Sequence, residues 1–71
     1  MRRQPVESSV VRSVGYDQAE RIMEIEFHND RVYRYFVVPQ SVYQQLLAAP
    51  SFGRYFNENV RDRYPSREIG R

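Results

Sequence analysis

His28 is the only histidine in the chain, and the one side chain whose ordinary pKa puts a proton transfer near neutrality. It stands in His28-Asn29-Asp30-Arg31, a turn-like stretch between two runs of strand formers, with no partner nearby in sequence. A general base needs an orienting group, so His28 reads as a solvated turn residue. Glu24 and Glu26 alternate with Met23 and Ile25, which puts both carboxylates on one strand face about 7 Å apart. That spacing suits an acid/base pair, but alternating charge is also the ordinary mark of an outward strand surface. The chain has no cysteine, which excludes thiol catalysis, a disulfide framework and a zinc ribbon together. Gly15, Gly53 and Gly70 make no phosphate-cradling loop. The expectation is a protein that is not an enzyme, with no metal, no cofactor and no small-molecule substrate.

What remains is chemistry suited to binding. All eleven basic residues are arginine, and six tyrosines and four phenylalanines accompany them. Guanidinium forks pair with phosphate and stack on planar rings in a way ammonium groups do not. Coding bias in a GC-rich genome produces the same composition, so position has to discriminate. Residues 1–35 carry six arginines against six acids; residues 36–71 carry five against three, all beyond Phe52. Arginine and tyrosine interleave in Arg54-Tyr55 and Arg61-Asp62-Arg63-Tyr64, a pattern compatible with nucleic acid. Arg54, Arg61, Arg63, Tyr64 and Arg67 are therefore the candidate RNA-binding set, with tRNA or another RNA as partner. Four phosphate contacts from Arg54, Arg61, Arg63 and Arg67 would give a slope of log K on log salt near −3, by about −0.7 per phosphate. The same residues also fit a helix with Tyr55 inside and Arg54, Glu58, Arg61 and Asp62 as surface ion pairs. A net charge of +2 is small for a nucleic-acid module. The alternative function is protein–protein interaction, with exposed apolar or aromatic residues docking a partner chain.

These side chains must be placed by one small domain. Seventy-one residues bury about 60% of their unfolded surface and hold a single core. No apolar run approaches the roughly 20 residues that span a bilayer, and Met1-Arg2-Arg3-Gln4-Pro5 has no apolar stretch behind it. A cytoplasmic protein without a membrane partner is expected. Residues 1–8 read as a flexible lead-in, 9–64 as the domain and 65–71 as a polar tail.

Within the domain, Val10–Tyr16 reads as a first strand, Ile22–Phe27 as a second and Val32–Val38 as a third. The loop between the second and third decides which way the tyrosines face. A two-residue turn at Asn29-Asp30 pairs Phe27 with Val32 and leaves Tyr33 and Tyr35 beside Glu24 and Glu26. A three-residue loop, with Asp30 left-handed, pairs Ile25 with Tyr33, Met23 with Tyr35 and Glu24 with Arg34. The second register gathers Met23, Ile25, Phe27, Tyr33, Tyr35 and Val37 on one side, and segregation of apolar from charged residues favours it. It makes Tyr33 and Tyr35 mainly core. Pro39, or a Ser41/Gln44 capping box, begins a helix with Val42, Tyr43, Leu46 and Leu47 on one stripe, stopped by Pro50. Ser51 caps a second helix bearing Phe52, Tyr55, Phe56 and Val60. The expected fold is α+β: a three-stranded antiparallel meander followed by two short helices on one face. Leu46, Leu47, Phe52, Phe56 and Val60 should supply most helix–sheet contacts.

The run Phe27 to Pro39, with Val42-Tyr43, Leu46 to Ser51 and Gly53-Arg54-Tyr55-Phe56-Asn57, resembles the KTSC domain. The resemblance extends over about residues 5–66 and includes the central Tyr33-Arg34-Tyr35 motif and the Val38-Pro39 before the helix. Asp30 departs from the pattern, which has glycine after the turn asparagine. The family is named for its place at the C-terminus of some lysyl-tRNA synthetases, and also occurs as a small free-standing bacterial protein. The family has no established activity, and its synthetase context suggests RNA as the partner. It marks Tyr33 and Tyr35 as the characteristic pair without saying whether they are core or contact residues.

Overall fold

The computed structural model describes residues 1–70. Its centre is the hairpin of β3 (Ile22–Phe27) and β4 (Val32–Tyr35), in the register that segregates apolar from charged residues. Met23 pairs with Tyr35, Glu24 with Arg34 and Ile25 with Tyr33. Asp30 takes the left-handed conformation (φ 70°), and the Phe27 carbonyl accepts the Asp30 N–H at 3.0 Å. An aspartate tolerates that region better than most non-glycine residues, so the missing glycine does not prevent closure.

The sheet has five strands rather than three, in the order β1-β2-β3-β4-β5, every pair antiparallel. The expected lead-in holds β1 (Arg3–Pro5) and the expected polar tail holds β5 (Ser66–Gly70), one on each edge of the sheet. Neither carries the apolar alternation of an inner strand, because an edge strand has one neighbour and little core to cover. Pro5 lacks a backbone donor and is tolerated only at such an edge.

On β2 (Val11–Asp17), Val11 and Val14 are both fully buried although three positions apart. Strict alternation would put them on opposite faces. A β-bulge at Arg12 restores the parity: Val11 stands opposite Phe27, and Ser13 opposite Glu26. The freed Arg12 side chain donates to Asp30 Oδ1 at 2.7 Å and to the His28 carbonyl at 3.3 Å, tying the bulge to the β3–β4 turn.

Two helices cover the face built by Val11, Val14, Met23, Ile25 and Tyr35. The first, α1 (Gln40–Ala48), begins after Pro39, whose carbonyl accepts the Val42 N–H; no side chain caps it, so the Ser41/Gln44 box does not form. The second, α2 (Phe52–Asn59), is capped by Ser51 Oγ accepting the Arg54 N–H at 3.3 Å. Leu46, Phe52, Phe56 and Val60 are buried as expected, but Leu47 is exposed: on so short a helix the core-facing stripe is narrow, and Leu46 fills it.

Val37 is the other correction, standing 63% exposed while Val38 is fully buried. The strand ends at Tyr35, and Val37 turns left-handed (φ 61°), which carries Val38 into the core. There the Val38 N–H donates to the Arg21 carbonyl at 2.9 Å, and the Tyr16 hydroxyl donates to the Val38 carbonyl at 2.5 Å. A β-branched residue held left-handed costs roughly 1–2 kcal/mol. Glycine fits there without strain but loses more backbone freedom on folding. Val37→Gly is therefore expected to stabilise the domain by up to about 1 kcal/mol, read as a higher midpoint in urea unfolding.

Candidate functional site

An open groove of about 380 Å³ lies between the β3–β4 hairpin and α2. Its floor is aromatic. Tyr33 and Tyr35 lie two apart on β4 and so share the helix-facing side; their ring centroids are 6.5 Å apart and tilted by 32°. Phe27 meets the Tyr33 ring edge-on at 5.8 Å, and Phe56 meets Phe27 at 5.7 Å and Tyr35 at 5.5 Å, both close to perpendicular. Such edge-to-face packing holds ring positions firmly. The rim is polar: Asn29 and Arg31 from the turn, Asn57 from α2, Arg61 and Asp62 beyond it, and Ser66 at the start of β5. The left-handed Asp62 (φ 63°) turns the chain after α2 back toward β5, which keeps Arg61 at the groove.

The two motif tyrosines differ. Tyr35 is buried, while Tyr33 is half-buried and its hydroxyl donates to Glu68 Oε1 at 3.4 Å. Burial pushes the Tyr35 hydroxyl up from 10.0 to about 12; Tyr33 adds to the rise and Arg61 opposes it. In the unfolded chain the group titrates near 10, so between pH 10 and 12 the folded state binds the extra proton and stability falls as pH rises. This contribution is complete below pH 10 and lost as pH passes 12. Midpoints measured across that window should fall less steeply for Tyr35→Phe than for the parent.

Arg61 is the member of the C-terminal arginine set that the fold brings to the tyrosine pair. Arg54 pairs with Glu58 at 3.3 Å along α2 and lines a separate hollow with Pro50 and Tyr55. Arg63 is exposed in the turn after α2, and Tyr64 is half-buried against the core. Arg67 stands opposite Arg34 on β5, on the sheet face turned away from the helices. Sequence reasoning missed Asn29, Arg31 and Asn57. Their signal was adjacency, in the turn before the tyrosine motif and beside Phe56, but nothing local puts these two segments face to face.

The groups weighed for acid/base chemistry are engaged elsewhere. His28 Nε2 lies 2.8 Å from the Ser8 carbonyl, fastening the lead-in to the hairpin turn. Glu26 accepts from Ser13 Oγ at 2.9 Å and lies 3.5 Å from Arg12. Glu24 is 7% exposed and held from both sides, by Arg34 Nε at 3.0 Å and Arg3 Nη1 at 3.1 Å. Arg3 reaches Glu24 because the residue between them on β2 is Gly15. Among the described residues no group of three or more His, Cys, Asp or Glu could hold a metal ion, and no helix is long and apolar enough to cross a membrane.

Comparison with known proteins identifies the family. The KTSC domain profile matches residues 7–64. The chain belongs to the KTSC domain family. A relative from Stutzerimonas stutzeri strain A1501 is 48% identical over 58 residues, 82% of each chain. The crystal structure of a KTSC domain protein from Yersinia pestis is 39% identical and superposes with a TM-score of 0.95 over 97% of both chains. A lysine–tRNA ligase from Nostoc punctiforme is 36% identical over 63 residues, which are 89% of this chain and 11% of the ligase. The KTSC match takes in β2 to α2 and hence all the groove residues except Ser66; both edge strands lie outside it.

Proposed function

We propose that this KTSC domain is a non-catalytic module that binds single-stranded or looped RNA in the groove between β4 and α2. An unpaired base lies against the exposed part of Tyr33, and the flanking phosphates meet Arg31 and Arg61. The observation that carries this reading is the pairing of an aromatic floor with two arginines that make no ion pair among the described residues. Stacking on aromatic rings tolerates any base, and guanidinium groups track the backbone, which is how single strands are commonly held. Asn29 and Asn57 at the rim offer donors and acceptors for a base edge. The likeness to a ligase whose name specifies tRNA supports the same partner.

A protein partner has less to recommend it. The exposed large apolar side chains Met1, Val10, Val37, Leu47 and Ile69 come from five separate segments and form no stripe on any element.

The test is fluorescence anisotropy with a short single-stranded RNA over a range of salt. With two phosphates neutralised in the groove, log K should fall with log salt at a slope of about −1.4, rather than the −3 expected if all four C-terminal arginines acted together. Arg61→Gln should flatten that slope by about 0.7. Tyr33→Ala should weaken binding by about 1–3 kcal/mol, roughly five- to 150-fold. Arg54→Gln, which removes an arginine already paired with Glu58, should leave both unchanged. Absence of binding at tens of micromolar protein in low salt, or an Arg61→Gln variant that binds as well as the parent, would return the function to a protein partner.

A further inference from the structure

Across the face of the sheet away from the helices, one row of paired positions runs through all five strands: Arg3, Gly15, Glu24, Arg34 and Arg67. Its charges do not balance. Both oxygens of Glu24 are taken, one by Arg3 and one by Arg34. The neighbouring carboxylate on this face, Glu26, is committed to Ser13 and Arg12. Glu68 faces the other way and accepts from Tyr33. Arg67 is thus exposed with no ion pair among the described residues, directly across the ladder from Arg34.

Like charges directly opposite on paired strands repel and destabilise the pair. Arg34 meets Glu24 through Nε alone, which leaves its two terminal amino groups free to bond elsewhere. Two arginines directly across the ladder on one face, each with free donors, can together match the oxygens of one tetrahedral phosphate. We infer that Arg34 and Arg67 form a phosphate-binding site on the open sheet face, separate from the groove, with Arg3 at its flank. A bound phosphate accepts from both forks and converts their repulsion into attraction. The site stands whether or not the groove binds RNA, because the sheet separates the two and they share no residue.

Charge reversal at one partner gives a test with two opposite readouts. In chloride, Arg67→Glu places an acid opposite Arg34, so its unfolding midpoint should rise above the parent's. In low-millimolar inorganic phosphate at matched ionic strength, the parent's midpoint should rise, and that of the variant should not. NMR titration of the parent with inorganic phosphate should shift the signals of Arg34 and Arg67 and leave those of Tyr33 and Arg61 in place. A single-stranded RNA without a terminal phosphate then separates the sources. Shifts at Arg34 and Arg67 identify the nucleic-acid backbone as the occupant, and shifts confined to the groove identify a free phosphate or phosphomonoester. The inference is overturned if phosphate acts no differently from chloride, if its shifts bypass Arg34 and Arg67, or if Arg67→Glu is less stable than the parent or keeps the phosphate response.

Discussion

Phe56→Ala should leave a large fraction of the molecules unfolded in water at ambient temperature. Phe56 is 5% exposed and joins the sheet to α2 through edge contacts with both Phe27 and Tyr35. Removing a buried phenylalanine ring costs about 3–5 kcal/mol, as lost transfer energy plus the cavity left behind. A single core in a chain of this size supplies about the same total, roughly 3–5 kcal/mol. Far-UV circular dichroism should show the loss of structure without denaturant. Leu47→Ala is the matched control. That side chain is 38% exposed on the neighbouring helix, and its truncation should cost less than about 1 kcal/mol. If the two variants unfold alike, the helix faces are wrongly assigned.

Gly15→Ala is expected to destabilise the domain by about 2–4 kcal/mol, far more than a methyl group on a strand normally does. A Cβ built on Gly15 lies 2.7 Å from the Arg2 carbonyl oxygen and 3.1 Å from Arg3 Cγ. The first of these is a backbone atom, so β1 itself has to move. Overpacking of this kind costs typically 1–3 kcal/mol. Displacing β1 also withdraws Arg3 from Glu24, and the bond of a buried carboxylate to a charged donor contributes about 1 kcal/mol or more after allowance for the exposure of Arg3. Urea unfolding gives the total. An Arg3→Ala variant isolates the second part, and combining it with Gly15→Ala should cost less than the sum, since both act through the same contact. A loss for Gly15→Ala below about 0.5 kcal/mol would mean that β1 gives way freely.

How far each feature was legible follows from the range of the interaction behind it. The β3–β4 register could be read because both strands and their turn lie within Ile22–Tyr35, and only one alignment separates Met23, Ile25, Tyr33 and Tyr35 from Glu24 and Arg34. Ser51 as a helix cap and the burial of Leu46, Phe52, Phe56 and Val60 were legible for the same reason. The candidate site was legible only in part. Arg61 and the tyrosine pair were singled out separately, and the fold places them around one groove.

The sequence by itself determined the α+β class, the central hairpin and the helix-covered face, because burial imposes a period on neighbouring residues that any short window reveals. Only the tertiary structure decided the rest. The edge strands β1 and β5 exist because β2 and β4 offer them backbone partners, and backbone pairing leaves little trace in side-chain pattern. The same pairing split the C-terminal arginines, sending Arg61 to the aromatic groove and Arg67 across the sheet to Arg34, since a residue's face depends on the register of the strand that receives it. Gly15 reads in sequence as no more than one position within the first strand; in the folded sheet it is the gap through which Arg3 reaches Glu24.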